Sequence, residues 1–414
     1  MSRIQEILQL QKRELEQCFG KEYIKRSEKL AELQKDIIKV VIGPRMAGKS
    51  FFILHELQEF GYVNFDDENL STLENYDEII VSVNLLYNNP KVLFLDEIQN
   101  LPKWELFVNR LARSGFNLIL TGSNSKLLSQ ELATHLTGRY FCTIIFPLSF
   151  KEYISHFGND LTETEIKVRL SEYASNGGFP EPLVKSLDYK NYLKLMYDSI
   201  LFKDIIKRHK IKSTNALDNL STYLMANWGN LYSYDWLSSA AGIKSPRTAE
   251  KYLGLLEEAF LMFEVNAFSF KVKQQIKSNK KIYIIDNGLI TSKAFSMSQN
   301  MGMLYENLVA ISLKKKELKK ELEFYYYKTS KDNEVDFVVK EGPKITSIIQ
   351  VSYDISNPKT KSREVRSLLH AKEDLKCDNL LVITDNYAGE EEEEWFGIKG
   401  RIQYVPLWKY LLRE

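Results

Sequence analysis

Residues 37–50 read Ile37-Ile38-Lys39-Val40-Val41-Ile42-Gly43-Pro44-Arg45-Met46-Ala47-Gly48-Lys49-Ser50. The first six are a β-branched run around one lysine, which suits a strand buried in a parallel sheet. The next eight fit G-x-x-x-x-G-K-[ST] in full, and Phe51-Phe52-Ile53-Leu54-His55-Glu56-Leu57 continues as a helical pattern. Strand, loop and helix in that order make a phosphate loop. The glycines let the backbone turn tightly, so successive N–H groups and the helix N-terminus point at phosphate oxygens. Lys49 would bridge the β- and γ-phosphates, and the Ser50 hydroxyl would ligate Mg²⁺. Residues Gly43 to Phe51 are therefore the expected nucleotide cradle.

Outward from the loop, Lys91-Val92-Leu93-Phe94-Leu95-Asp96-Glu97 is an apolar strand ending in two carboxylates. Asp96 would hold Mg²⁺ through water, and Glu97 is placed to polarise an attacking water as general base. Leu118-Ile119-Leu120-Thr121-Gly122-Ser123-Asn124 is another apolar strand ending in small polar groups. Ser123 or Asn124 would bond the γ-phosphate or the lytic water; a polar turn capping the next helix is the plainer alternative. Arg139 would neutralise developing phosphate charge, within its own subunit or on a neighbour, unless it is an ordinary surface arginine. Tyr62–Phe65, Asn117–Thr121 and Phe141–Phe146 read as further strands and Trp104–Arg113 as a helix. The alternation predicts an α/β fold, a parallel sheet with helices on both faces. Residues 3–36 read as one or two amphipathic helices.

Composition bounds the rest. The 414 residues are 44% apolar and 27% charged, ordinary for a globular protein, and 56 Lys and Arg balance 55 Asp and Glu. No whole-chain field advertises a polyanionic partner. Cys18, Cys142 and Cys377 are too few and too scattered for a disulfide framework or a thiolate zinc site, and the five histidines share no ligand spacing. No secretory signal or membrane span is expected, so the reading is cytoplasmic. The five glutamates 390–394 read as a solvated loop or helix end.

Beyond Pro147 the texture becomes mostly helical, with Gly177-Gly178-Phe179-Pro180 as the strongest turn signal. The expected divisions are 1–36, an N-terminal helical segment; 37–150, the nucleotide-binding core; 151–210, a helical linker; 211–294; and 295–414. Ser245-Pro246-Arg247 opens a helix with Ser245 as N-cap. Lys244, Arg247 and Lys251 lie near its start, and two strands around Phe263–Val265 and Tyr283–Ile285 flank Lys271, Lys273, Lys277, Lys280 and Lys281. A helix–turn–helix followed by a basic wing is a DNA-reading arrangement, and such lysines would release phosphate counterions. A winged helix also serves as a protein-interaction module, so double-stranded DNA and a protein partner both stand.

GPRMAGKS, VLFLDEIQN, LILTGSNSKLL and FPLSFKEY, in this order, resemble the AAA+-type ATPases of a widespread archaeal and bacterial family. GGFPEPL, VDFVV, IQVSYD and VPLWKYLL resemble its later landmarks, so the likeness covers nearly the whole chain. It implies ATP binding and hydrolysis, a winged helix and a C-terminal domain similar to PD-(D/E)XK nucleases. ATP is favoured by that analogy, since no guanine-reading N/T-K-x-D is present. In the C-terminal domain Glu306 and Asp336 match the acidic positions and Gln350 the glutamate position, where carboxylates would hold a divalent metal. Ser352 stands where the water-positioning lysine belongs, which puts cleavage in doubt. The leading expectation is an ATPase whose hydrolysis drives a domain rearrangement. The alternatives are a nucleotide-controlled binding switch with little turnover and an ATP-gated nuclease.

Overall fold

Continuous apolar runs alternating with helical periods build a parallel sheet in the first part of the chain. The computed structural model describes residues 3–32, 37–71, 73, 75–124, 139–158, 160–293 and 300–413. Residues 33–36 of the expected N-terminal helices, Ser125–Leu128 of LILTGSNSKLL and the expected division at 294/295 lie outside them. The chain forms two units, one of Met1–Leu148 with Leu183–Lys185 and Glu258–Phe260, the other of the remainder.

In the first unit α1 (Arg3–Cys18) precedes β1 (Ile38–Ile42), α2 (Lys49–Glu56), β2 (Gly61–Asn64), α3 (Asp77–Leu86), β3 (Val92–Asp96), α4 (Trp104–Arg113), β4 (Asn117–Gly122) and β5 (Tyr140–Ile144). The strands pair in the order β2-β3-β4-β1-β5, all parallel. Alternate residues feed two apolar layers, as the pleat requires. Val40, Ile42, Leu93, Leu95, Leu118 and Leu120 pack with Ile4 and Leu8 of α1, Ile79 and Val83 of α3 and Phe107 and Val108 of α4. Val41, Phe94 and Ile119 pack on the other face with Phe52, Ile53 and Leu54 of α2. The α/β expectation holds, helices on both faces included. The reading of residues 3–36 as helix throughout does not: α1 stops at Cys18, where Lys21 N closes a turn on its carbonyl beside Gly20, and residues 22–32 carry no helix.

The second unit is helical at first, with α5 (Glu163–Asn176) and α6 (Tyr189–Ser199), then α7 (Thr214–Ala226), β6 (Leu231–Tyr232), α8 (Tyr234–Ala240), α9 (Pro246–Glu258), β7 (Met262–Val265), β8 (Lys280–Ile284) and α10 (Asn287–Lys293). As expected, the Ser245 hydroxyl accepts the Thr248 N–H at 3.3 Å at the start of α9. β6, β8 and β7 form an antiparallel sheet in that order. After α11 (Met301–Leu318), β9 (Glu323–Lys328), β10 (Glu334–Glu341), β11 (Lys344–Val351), α12 (Pro358–Leu375), β12 (Leu380–Thr384), β13 (Gly389–Trp395), β14 (Ile398–Pro406) and α13 (Leu407–Leu412) complete a mixed sheet ordered β13-β14-β12-β11-β10-β9. The chain just past β7 reaches this sheet: Phe268 N donates to Tyr326 O at 2.7 Å and Tyr326 N to Asn266 O at 3.1 Å.

Glu390–Glu394, read above as a loop or helix end, is an edge strand instead. β13 pairs antiparallel with β14, and cations distant in sequence offset its charge. Lys361 of α12 meets Glu391 at 2.5 Å and Glu393 at 3.0 Å, while Lys399 lies 3.4 Å from Glu394. Opposite charges facing across a ladder favour pairing.

The Gly177-Gly178 turn has its reason in Asp286. This buried carboxylate accepts Gly178 N at 2.7 Å and Gly288 N at 2.9 Å. Gly177 has φ +78°, and a Cβ there would lie 1.8 Å from Asp286 Oδ1. Asn287 then donates to Ala174 O and Leu304 O, and Asn307 to Ile284 O and Asn287 Oδ1, which ties α5, β8, α10 and α11 together.

Candidate functional site: the phosphate loop and its carboxylates

The carboxyl ends of β1, β3 and β4 are neighbours in the sheet, so residues 43–50, 96–97 and 121–124 converge on one edge. Gly43 has φ +150°, and a Cβ on it would sit 1.9 Å from the Ile145 carbonyl oxygen, so only glycine passes there. Gly48 turns at φ +92° into α2. The Lys49 ammonium, 4% exposed, bonds back across the loop to Gly43 O at 3.1 Å and Pro44 O at 3.0 Å, and lies 3.8 Å from Glu97 Oε1. Met46 projects into solvent and Arg45 pairs with Asp66 at 3.6 Å. The buried Arg26, from the chain between α1 and β1, donates to Ala47 O at 3.4 Å and to Phe146 O, bracing the loop from behind.

Ser50 Oγ lies 3.0 and 2.9 Å from the two carboxylate oxygens of Asp96. Asp96 also accepts Tyr62 OH at 3.0 Å and the Thr121 hydroxyl. Burial above all, and then the charge of Glu97, push the Asp96 carboxyl up, against the hydrogen bonds from Thr121, Ser50 and Tyr62. Glu97 behaves oppositely. Burial would raise it, but Lys49, Gln99, Ser123 and Arg45 together hold it below the usual carboxylate range. Its backbone sits in the left-handed region at φ +50°, unusual for a residue other than glycine, and its N–H is held by Thr121 Oγ1 at 2.9 Å.

Mg²⁺ is the cation these donors suit. A desolvated carboxylate beside a hydroxyl is a hard-oxygen pair, and Mg²⁺ takes one or two protein ligands and completes its shell from phosphate and water. Among the described residues no three His, Cys, Asp or Glu side chains form a metal cluster of their own.

Asn124 and Ser123 are buried at this same edge. Arg139 is not. Its carbonyl accepts Ile38 N at 2.9 Å, at the amino end of β1, and its side chain is exposed. The loop begins five residues further along that strand, roughly 17 Å away at 3.3 Å per residue. The parallel pairing of β5 with β1 therefore removes Arg139 from the nucleotide site of its own chain. Tyr62, Thr121 and Arg26 were not picked out from sequence as site residues. Tyr62 and Thr121 reach Asp96 only because β2 and β4 flank β3.

The other expected carboxylates also meet, in altered company. Asp336 N donates to Gln350 Oε1 at 3.3 Å, and Val351 N to Asp336 Oδ2 at 2.8 Å. Between Glu306 and Asp336 stands Lys281, read above as a wing lysine facing phosphate; its side chain is 3% exposed. Lys280 pairs with Glu264 at 2.8 Å. Lys271, Lys273 and Lys277, with Lys244, Arg247 and Lys251, are the exposed ones.

A relative from Methanocaldococcus jannaschii, "Uncharacterized protein MJ1544", is 36% identical over 91% of this chain and 88% of its own length. An "Uncharacterized protein" of Haemophilus influenzae is 32% identical over 90% and 94%. The chain belongs to their family. Its residues 35–154 match the family model described as AAA domain, and 167–299 and 301–410 match two domains of unknown function, DUF8612 and DUF4143. The AAA domain thus spans β1 to the end of the sheet and contains the whole loop. Among solved structures, the chain is similar to "Replication initiator DnaA bound to AMPPCP and single-stranded DNA", at 17% identity over 53% of this chain and 82% of that one, with TM-score 0.27.

Proposed function

We propose that the chain is an Mg²⁺-dependent ATPase. The observation that carries this is the pair of contacts behind the loop, Ser50 to Asp96 at 2.9–3.0 Å and Lys49 to Glu97 at 3.8 Å. Ser50 and Asp96 would hold Mg²⁺, which would supply charge neutralisation at the phosphates. Backbone N–H groups from Gly43 to Phe51 bind the phosphates, and Lys49 leaves its carbonyl partners for phosphate oxygens. Glu97, held ionised, takes the proton of the attacking water at its carboxylate. Asn124 orients that water or the γ-phosphate.

Turnover drives a rearrangement that changes how the second unit engages double-stranded DNA. The order α7-β6-α8-α9-β7-β8 supports a winged helix, with exposed Lys244, Arg247 and Lys251 around the start of α9; in place of the expected basic hairpin, a short helix Val272–Lys277 between β7 and β8 carries exposed Lys273 and Lys277, with Lys271 at its start. The six-stranded sheet with α11 and α12 supports a nuclease-like layout. Free Cys18, Cys142 and Cys377 suit a reducing cytoplasm.

Phosphate release from ATP, measured with and without double-stranded DNA at two salt concentrations, tests this reading. Stimulation that fades at high salt is expected. Turnover indifferent to DNA would point to a protein partner, and no turnover with Mg²⁺ would overturn the ATPase.

A further inference from the structure

The nuclease-like likeness implies a divalent cation among Glu306, Asp336 and Gln350. The residues present do not fit one, because an ammonium already fills the place. Lys281 Nζ, carried on β8, lies 2.7 Å from Glu334 Oε1, 3.2 Å from Glu306 Oε1 and 4.0 Å from Asp336 Oδ1. Tyr283, two residues on and therefore on the same face of β8, donates its hydroxyl to Glu306 Oε1 at 2.6 Å and is wholly buried. Asp336 Oδ2 accepts Val351 N, and Gln350 Oε1 accepts Asp336 N. Burial, with the Glu306 charge behind it, pushes the Asp336 carboxyl well up, against the pull of Lys281. A divalent ion bound by these carboxylates would share them with the Lys281 ammonium, and like charges brought together in a buried setting repel strongly.

We propose that Lys281 takes the place of the divalent cation, so that Glu306, Glu334 and Asp336 form an ion-paired joint between β8 and the C-terminal sheet rather than a metal-dependent phosphodiesterase centre. Sequence hides this, since the cation comes from a strand outside the nuclease-like segment.

The test is thermal unfolding of the full chain, nucleotide-free and EDTA-treated, with and without Mn²⁺. Wild type and Asp336→Asn should respond to Mn²⁺ alike, since any metal held by Ser50 and Asp96 is common to both. Lys281→Ala should melt lower without metal and recover by at least about 2 °C in saturating Mn²⁺. That recovery should vanish when Asp336→Asn is added. Mn²⁺ stabilisation of wild type that Asp336→Asn abolishes would overturn the proposal. So would Mn²⁺-dependent cutting of plasmid DNA by wild type that Asp336→Asn abolishes. A Lys281→Ala variant that melts with wild type and gains nothing from Mn²⁺ would also overturn it. If that variant fails to fold, the wild-type and Asp336→Asn comparison decides alone.

Discussion

Thr121 shows how one hydroxyl can serve two carboxylate residues. It donates to Asp96 and accepts from the backbone of Glu97, so it holds the two residues in fixed relation. Thr121→Val keeps the shape and leaves the Glu97 N–H without its partner. An unsatisfied buried group of this kind costs about 1–3 kcal/mol. Lower stability by chemical denaturation and slower phosphate release are expected together. Lys49→Ala should abolish ATP binding in a titration calorimeter, because it removes the cation proposed to bridge the phosphates. Glu97→Gln should bind ATP as wild type does and release phosphate about a hundredfold to ten-thousandfold more slowly. Equal turnover in Glu97→Gln and wild type would remove Glu97 from the role of base.

Among the elements, α10 is tightly placed. A Cβ on Gly288 would meet Asn176 O at 2.2 Å and Leu193 Cδ1 at 2.5 Å, so Gly288→Ala should destabilise by about 1–3 kcal/mol. Gly254, within α9, has nothing within 4 Å of its Cβ position, and Gly254→Ala should stabilise by up to about 1 kcal/mol. Thermal melts of both variants check the contrast. Asp286 adds a pH dependence. Burial lifts its carboxyl to about 6 in the folded chain from an ordinary 3.8, against the N–H groups of Gly178 and Gly288. The folded state then binds the proton more tightly, so this contribution is full below about pH 4 and is lost as pH rises through 6. Unfolding free energies from pH 4 to 7 should fall more steeply for wild type than for Asp286→Asn. The loop and its strand were legible from sequence because Gly43 to Ser50 are neighbours and their chemistry is local. Tyr62 and Thr121 were not, since their meeting with Asp96 depends on strand order. Lys280 and Lys281 look alike in sequence, yet the pleat sends one to Glu264 and the other into the carboxylate cluster. The glutamate run was misread because Lys361, Lys399 and Arg401, which offset its charge, lie outside it.

On the scale of the whole molecule, the exposed lysines between β7 and β8 set the expectation. Reversing Lys271, Lys273 and Lys277 to glutamate together should remove any DNA stimulation of ATP turnover and leave basal turnover unchanged, measured by phosphate release at low salt. No helix of the described residues is long and apolar enough to cross a membrane. The two borders of the six-stranded sheet carry a different consequence. An open sheet border offers unpaired N–H and C=O groups to any passing extended chain, and invites fibrous stacking. At β9 the protein's own residues 266–268 occupy the N–H and C=O of Tyr326, midway along the border. At β13 five glutamates outnumber the three cations paired with them, so a second copy pairing there would bring net negative charge against its like. The run that looked like a featureless acidic tract thus works as a guard against edge-to-edge polymerisation. Neutralising it with glutamine should be felt in the solubility of concentrated protein before it is felt in turnover.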